Sequence, residues 1–427
     1  MNIGWLSASP MAGTGYGTQT YEVCSRLIER HNVVCICQSS DVIVWGARQE
    51  MDTPSGKKLK VLALSDQVSA PELINNYYVP EFKLDLIIGF MDAFGIQYLN
   101  DVKIPVVGWI PIDGPFTPMW KHYCRNWHKI FAYSRFGYKE LLKWFPPAKV
   151  GYIPHGVSEA FNPRDRDETR EEFELFTPQI DSRGQVQRED KIPKDSFLVV
   201  NVGANMGPRK NLPLLMRTFK KFVDKGHKDA HLYIHTNAFM VFPRGYDLIQ
   251  WRLMLKAEKN IHFPMYNPIV SPASNEELAK IYCAADIYVQ NSDAEGFGLP
   301  LVESMACGTP IIAPMNSAQT ELIEGHGWGI ENVSEDMYEQ IPVYVPMLPE
   351  YPVPNQLSLL EKLEEAYNSP EKRRQYGAAA HSYVEENHSW KVCMSAWLRA
   401  LEEVESEIKI LGGLAEAFRA PSPKRLE

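Results

Sequence analysis

The chain has 427 residues, enough for two or three domains, and its apolar content of 45% is that of a globular protein. A formal net charge of −9 excludes the strong basic field by which proteins attract nucleic acid. Seven scattered cysteines without paired CxxC elements predict no zinc site and a reduced, cytoplasmic compartment. An apolar strand begins almost at once and no apolar run is long enough to span a bilayer, so we expect neither a signal peptide nor a transmembrane helix.

Short apolar runs alternate with helical patterns through residues 1–165. The apolar runs predict strands at 2–6, 33–38, 59–64, 84–89, 106–110 and 129–133. Apolar residues spaced three and four apart predict a helix at 18–30, and a second helical pattern covers 136–144. Strands that alternate with helices form a parallel sheet covered on both faces, so this part of the chain predicts a first Rossmann-like domain.

Two strand ends in this domain carry candidate ligand contacts. Gly13, Gly15 and Gly17 follow the first strand with the spacing GxGxG, which is not the GxGxxG of dinucleotide sites. They form either a tight turn between strand and helix or a loop that approaches a ligand. Asp113 follows the strand at 106–110, and is either a turn residue before glycine or an acceptor of hydrogen bonds from hydroxyl groups.

The segment 120–129, WKHYCRNWHK, mixes aromatic and basic side chains. One interpretation is a half-buried helix whose cations extend into solvent. The other is a surface that lines an acceptor groove or contacts anionic lipid headgroups. Peripheral contact with the inner face of a membrane therefore stays open beside the cytoplasmic assignment.

A second alternation of strands and helices follows a charged stretch. Residues 166–195 are rich in charge and poor in apolar side chains, which predicts a linker or an exposed helical insertion. Residues 196–387 predict a second Rossmann-like domain, with strands at 197–202 and 231–235 and helices at 212–225, 248–256, 278–283 and 357–383. A capping box from Ser274 to Glu277 precedes the helix at 278–283. A helix at 390–411 and a frayed tail at 413–427 follow.

The loop at 203–211, GANMGPRKN, brings two cations from the end of a strand to the start of a helix. Arg209 offers a fork of donors that fits a diphosphate, and Lys210 offers a point charge. A pair of solvated surface cations is the alternative interpretation.

The segment 291–314, NSDAEGFGLPLVESMACGTPIIAP, is typical of a strand-end loop, a short helix and a second strand. Pro300 in the first helical turn and Gly308 after the last fit the chemistry of helix ends. The backbone N–H groups of Phe297, Gly298 and Leu299 therefore point to whatever lies above the helix start, where the helix dipole favours an anion.

Two carboxylates flank this predicted anion site, Glu295 in the loop and Glu303 inside the helix. A carboxylate accepts two hydrogen bonds at once, which suits the vicinal hydroxyls of a sugar or ribose. Phosphate together with sugar hydroxyls describes a nucleotide sugar. Two solvated surface glutamates are the alternative.

The run Glu295–Pro300, EGFGLP, followed by Glu303 resembles the donor-binding signature of retaining GT-B glycosyltransferases of family 4 (group 1). That signature is a glutamate, seven residues and a second glutamate, with Gly-Phe-Gly-Leu-Pro after the first. Segments 134–137, SRFG, and 153–157, IPHGV, also resemble the family's helix-opening segment and interdomain turn. We expect both to be structural, with His155 as a turn residue rather than a base.

The resemblance implies an α/β protein of the GT-B fold. Two Rossmann-like, doubly wound domains would face a central cleft, and a C-terminal helix at 388–412 would cross back to the first domain. The implied activity is retaining, metal-independent transfer of a hexose from a UDP- or GDP-linked sugar. The acceptor would be a hydroxyl of a glycan, a lipid-linked molecule or a small molecule.

The resemblance also assigns roles to individual positions. The implied catalytic residues are Glu295, Asp113 and Lys210. The implied donor-binding residues are Gly15, Gly17, Asn205, Arg209, Lys210, Glu295, Gly296, Phe297, Gly298, Leu299 and Glu303. No metal ligand and no cofactor is implied beyond the nucleotide sugar.

Two positions depart from the family pattern. Ala204 stands where family members often have an arginine, and Asp113 stands where many have a histidine near the donor sugar. The alternatives are a GT-B nucleotide-sugar epimerase, which needs no acceptor, a phosphorylase, which needs a lysine-bound pyridoxal phosphate, or a non-catalytic nucleotide-sugar binding module. A nicotinamide dehydrogenase is disfavoured because GxGxxG is absent from the sequence.

Overall fold

The computed structural model describes residues 1–38, 48–64, 67–172, 176–180, 186–205, 207–239, 245–264, 266–268, 271–334 and 352–417.

The first sheet contains eight strands. They are β1 (Asn2–Ser7), β2 (Asn32–Cys37), β3 (Arg48–Asp52), β4 (Lys58–Ala63), β5 (Leu86–Gly89), β6 (Val106–Ile110), β7 (Lys129–Ala132) and β8 (Val150–Tyr152). Their order is β3-β4-β2-β1-β5-β6-β7-β8, and every pair is parallel except the edge pair β3 and β4. The strands join helices α1 (Gly15–Leu27), α2 (Ala70–Leu73), α3 (Val79–Phe82), α4 (Pro118–Tyr123) and α5 (Arg135–Leu142).

Both faces of this sheet are buried. Trp5 belongs to one hydrophobic core and its neighbour Leu6 to another, and Cys35 and Ile36 of β2 divide in the same way. Successive side chains of a strand point to opposite faces, so two separate cores mean that apolar layers cover the sheet on both sides. The predicted parallel, doubly covered sheet is confirmed.

The charged stretch between the sheets is more ordered than a linker. It forms α6 (Arg166–Glu172) and an antiparallel hairpin of β9 (Phe176–Ile180) and β10 (Val186–Lys191). Arg170 is buried, and its guanidinium donates to Ala284 O at 2.7 Å and to the Asp286 carboxylate at 2.9 Å. A buried carboxylate needs paired charge, so the prediction of an exposed helix is wrong at Arg170.

The second sheet contains six strands, all parallel. They are β11 (Phe197–Val202), β12 (Ala230–His235), β13 (Ile261–His262), β14 (Ile287–Val289), β15 (Ile311–Pro314) and β16 (Gly327–Ile330), in the order β13-β12-β11-β14-β15-β16. The helices are α7 (Leu212–Asp224), α8 (Leu248–Met254), α9 (Asn275–Cys283), α10 (Leu299–Ala306), α11 (Gln319–Ile323), α12 (Gln356–Asn368), α13 (Pro370–His388) and α14 (Trp390–Ala417).

Three helix predictions differ from the structure. The helix expected at 357–383 is two helices, because Pro370 cannot continue α12 and instead starts α13. Helix α1 begins at Gly15 rather than residue 18, because the Thr14 hydroxyl accepts from the Gly17 N–H at 3.1 Å and caps the earlier turn. Helix α14 extends to Ala417, so the predicted tail at 413–427 begins as helix, and its last ten residues lie outside the described residues.

Each sheet has one point where the strand order reverses direction. In the first sheet the chain moves outward from β1 through β2 and β4, then returns to place β5 on the other side of β1. In the second sheet it moves from β11 to β13 and returns to place β14 beside β11. Ligands of open parallel sheets bind at the carboxyl ends of strands beside such switch points.

The last helix returns to the first sheet. The Trp397 ring of α14 packs against Trp5 and Trp109, with ring centroids 5.4 Å and 5.0 Å apart. Lys129 of β7 is buried, and its ammonium pairs with Glu403 at 2.6 Å and with Glu407 at 3.0 Å. The predicted crossing helix is therefore confirmed. The segment 120–129 is not one helix, since α4 ends at Tyr123 and Lys129 opens a strand.

We expect Trp397→Ala to lower the free energy of unfolding by about 3–5 kcal/mol, because it empties a fully buried site between two other tryptophans. Chemical denaturation monitored by circular dichroism measures this loss. Arg399→Ala, on the exposed face of the same helix, is the control and should change stability by less than about 0.5 kcal/mol. Equal stability of the two variants would contradict the packing role of Trp397.

Candidate functional site

The switch points of the two sheets face each other at close range. A Cβ atom built on Gly296, in the loop after β14, would lie 2.7 Å from Pro111 Cβ, in the loop after β6. A Cβ atom on Gly15, at the start of α1, would lie 3.2 Å from Leu299 Cδ1, at the start of α10. The loops predicted to bind the donor therefore meet in one cleft, and Gly296 permits an approach that a side chain would block.

Helix α10 begins as the sequence predicts, with its N-terminus directed at this cleft. Gly298 is the N-cap residue and has φ of +94°, a left-handed conformation that glycine adopts without strain. Pro300 occupies the first turn, and no described side chain caps the helix. The backbone N–H groups at this end are thus available for an anion, and the helix dipole adds to the attraction.

Arg209 and Lys210 converge on Glu295. The Lys210 ammonium lies 2.5 Å from one carboxylate oxygen and the Arg209 guanidinium lies 3.0 Å from the other. The Glu295 side chain is only 9% exposed. Burial raises the pKa of Glu295, but Arg209 and Lys210 outweigh it and hold the pKa at about 2. Burial lowers the pKa of Lys210, and Glu295 partly opposes that shift.

A second set of contacts joins the loop bearing Arg209 and Lys210 to the loop bearing Glu295. Arg209 donates to Ala294 O at 2.6 Å, and its own carbonyl accepts from the Asp293 N–H at 2.9 Å. Asn211, which has φ of +48°, donates its side-chain amide to the Asp293 carboxylate. Burial raises the pKa of Asp293 to about 7, although Asn211 and Arg209 oppose the shift. Asp293 and Asn211 were not predicted as site residues. No sequence motif marks either residue, because their contact joins two loops that are far apart in the chain.

Glu303 lies apart from this cluster, on α10. The hydroxyl of Tyr282 donates to its carboxylate at 2.8 Å. Burial raises the pKa of Glu303 to about 7, against the effect of the Tyr282 hydrogen bond. The two glutamates therefore differ in charge near neutral pH, a difference that their spacing in the sequence does not show.

Phe297 fixes the donor loop to the first sheet. Its ring is buried and packs edge-on against His155, with centroids 4.9 Å apart, and against His388 at 5.2 Å. The His155 Nδ1 atom lies 3.0 Å from the Gln19 side-chain oxygen, and burial lowers the pKa of His155 well below its usual value. Phe297 and His155 thus form the wall of the cleft, which agrees with the expected structural role of His155.

The first sheet contributes a polar group that the sequence analysis missed. The Tyr16 hydroxyl, in the first turn of α1, donates to Asp92 beyond the end of β5 at 3.0 Å. Burial raises the pKa of Tyr16, and the charges of Asp92 and Asp113 raise it further. The charge of Arg209 opposes these shifts by lowering the pKa of Tyr16 and of Asp92. The position of Asp92 just after β5, the strand that pairs with β1, could have indicated it from the sequence.

Two of the predicted donor-binding residues have clear structural contacts. The Asn205 amide donates to Asn237 O at 3.0 Å and to Tyr246 O at 2.7 Å, and its oxygen accepts from the Tyr246 N–H. A Cβ atom on Gly17 would lie 2.2 Å from Ala12 O, so the turn into α1 excludes any side chain there. Their donor-binding roles stay predictions.

The described ranges contain no group of three or more His, Cys, Asp or Glu side chains arranged to hold a metal ion. They also contain no helix both long enough and apolar enough to cross a bilayer.

The sequence of this chain is similar to sequences of known glycosyltransferases. Residues 182–340 match the family model described as glycosyl transferases group 1. A probable sucrose-phosphate synthase of Thermosipho melanesiensis is 26% identical over 203 residues, which are 46% of this chain and 40% of that protein. The match therefore spans less than half of that relative's length.

Two solved structures share the overall fold. Sucrose-phosphate synthase of Thermosynechococcus elongatus superposes with a TM-score of 0.69 at 15% identity, over 95% of this chain and all of that one. The Anabaena protein HepE in complex with UDP-glucose superposes with a TM-score of 0.64 at 14% identity, over 94% of this chain and 99% of that one.

The fold and the facing switch points define a GT-B protein. Within the chain, residues 182–340 have the sequence pattern of the group 1 glycosyl transferases. The resemblance to group 1 is confirmed over these residues, whereas membership of family 4 stays a prediction.

The raised pKa of Glu303 gives stability a pH dependence. An unfolded glutamate titrates near about 4.3 and the folded one near 7, so the folded state binds the extra proton between these values. Glu303 therefore favours folding at low pH, and that contribution is lost as the pH rises towards 7.

We expect Glu303→Gln to gain in melting temperature relative to wild type as the pH rises from about 4.5 to about 7.5, since glutamine stays neutral. Calorimetry across that range measures the difference. Glu361→Gln, at an exposed position of α12, should show no such trend. A constant difference between Glu303→Gln and wild type would show that Glu303 titrates normally.

Proposed function

We propose that the protein is a retaining, metal-independent hexosyltransferase that uses a UDP- or GDP-linked sugar and a hydroxyl acceptor. The observation that carries the proposal is the pairing of Arg209 and Lys210 with Glu295, in the loop that leads into the start of α10 at the switch point of the second sheet. This arrangement offers two cations and a helix dipole to a diphosphate. The HepE structure contains UDP-glucose, which supports a nucleotide sugar as the donor class.

The reaction places most of its new charge on the leaving diphosphate. When the bond between the anomeric carbon and the phosphate oxygen breaks, the negative charge grows on that oxygen, opposite Lys210 and Arg209. Fixed donors that face the developing charge stabilise the transition state without a metal ion. Arg209 contacts the same carboxylate as Lys210, which supports the proposal that it supplies the charge that Ala204 does not.

Glu295 and Glu303 bind different parts of the donor in this proposal. Glu303 accepts from the ribose hydroxyls, and Glu295 accepts from hydroxyls of the transferred sugar. The acceptor hydroxyl attacks from the face that the diphosphate leaves, and a leaving-group oxygen takes its proton, which retains the anomeric configuration. The close approach of Gly296 to Pro111 helps to exclude water from this reaction.

Nucleotide binding and donor turnover test the proposal directly. UDP or GDP should raise the melting temperature, and a chelator should not prevent the rise, because a ligand that binds only the folded state stabilises it. Lys210→Ala should weaken this binding by on the order of tenfold, and Lys220→Ala, on α7, is the control.

Slow hydrolysis of a nucleotide sugar, with the anomer of the first product assigned by NMR, tests turnover and retention. A protein that neither binds nor hydrolyses any of these donors is not the enzyme proposed.

Asp113 tests the contribution of the first sheet. It lies two residues beyond Pro111, which contacts the donor loop, so we expect it to act on the sugar or the anomeric region. Asp113→Asn removes the charge and should slow turnover about a hundredfold with little change in nucleotide affinity. Asp113→His should retain more activity than Asp113→Ala. Wild-type turnover in both Asn and Ala variants would make Asp113 an ordinary turn residue.

A further inference from the structure

We infer that Glu295 is an internal counterion that competes with the diphosphate for Arg209 and Lys210, and so promotes release of the nucleoside diphosphate product. The inference rests on the proposed diphosphate site and adds a step to its cycle. It assigns the carboxylate a role towards the leaving group in addition to its contacts with the sugar.

The competition follows from how the two cations are engaged. Each Glu295 oxygen contacts one cation, at 2.5 Å for Lys210 and 3.0 Å for Arg209. The carboxylate thus bridges the two cations, and two oxygens of a diphosphate would contact the same two groups in the same way. Lys210 is 17% exposed and Arg209 is 37% exposed, so neither side chain has much freedom to bind both anions in full. A bound diphosphate must therefore displace Glu295 from part of this contact.

The backbone keeps the competing carboxylate in place. The Glu295 N–H donates to the Ser317 hydroxyl at 2.9 Å, and the Glu295 carbonyl accepts from the Ala318 N–H at 3.3 Å. Arg209 is fixed to the same loop through Ala294 O. Since carboxylate and cations are attached to adjoining loops, the ion pair re-forms as an intramolecular event with a high effective concentration.

This arrangement has a consequence for turnover. Before transfer, the sugar hydroxyls occupy Glu295 and the diphosphate occupies the cations. After transfer the sugar leaves with the acceptor, so Glu295 is free to pair with Lys210 and Arg209 again. That pairing weakens the hold on the diphosphate at the stage when only the nucleotide remains.

The experiment compares Glu295→Gln with wild type for binding of inorganic pyrophosphate, UDP and GDP by calorimetry. Removal of the competing charge should tighten pyrophosphate binding at least about tenfold, because charge-assisted hydrogen bonds are the strong class that the ligand no longer has to displace. Tighter binding of a nucleoside diphosphate should accompany a lower rate of nucleotide release. Glu140→Gln is the matched control, since Glu140 is also buried and paired with a lysine, Lys143, on α5.

Pyrophosphate affinity that stays equal or falls in Glu295→Gln, with Glu140→Gln unchanged, would overturn the inference. Tighter pyrophosphate binding without any binding of UDP, GDP or their sugars would support the counterion role of Glu295 and refute the proposed donor. If Glu295→Gln does not fold, Glu295→Asp keeps the charge but shortens the side chain so that it cannot bridge both cations. It should then bind pyrophosphate more tightly than wild type, and unchanged or weaker binding would count against the inference.

Discussion

The packing of one tryptophan, Trp397, fixes the last helix to the first sheet. Trp397 of the last helix lies between Trp5 and Trp109 of the first sheet, and Lys129 of the same sheet pairs with two glutamates of that helix. This helix directly follows α13, which packs against α10 of the second half of the chain, so the contact helps to fix where the second sheet lies. Burial of large aromatic surface supplies the attraction, and the ion pairs add direction.

That placement creates the site. Each sheet by itself has a switch point with a loop that can bind a ligand. Only their apposition brings Gly296 against Pro111 and Leu299 against Gly15. The glycines matter here for their lack of a side chain, since a Cβ atom at Gly296 would separate the loops. The start of α10 and the loop that follows β6 then share one cleft.

Part of the positive charge in the cleft is compensated before any ligand contact is considered. Glu295 pairs with both Arg209 and Lys210, and the loops that carry them are joined by Asp293 and Asn211. A largely buried Lys210 without a counterion would make the site costly to fold. A site with a built-in counterion is stable by itself and still exchanges one anion for another. The same contact thus serves stability and, in the inferred cycle, product release.

The sequence by itself determined the parallel sheets, the short helix with Pro300 in its first turn and the resemblance to group 1 within residues 182–340, because these depend on local patterns. Strand periodicity, a glycine before a helix and a proline in its first turn act over a few residues. It also indicated Arg209, Lys210, Glu295 and Glu303 as a set. Only the tertiary structure decided that Glu295 pairs with both cations while Glu303 accepts from Tyr282, and that Tyr16 donates to Asp92. Arg170 was expected in a linker or an exposed helix, and it is buried because it pairs with Asp286. These contacts join residues far apart in the chain, and their energies depend on burial and distance, which no local pattern specifies.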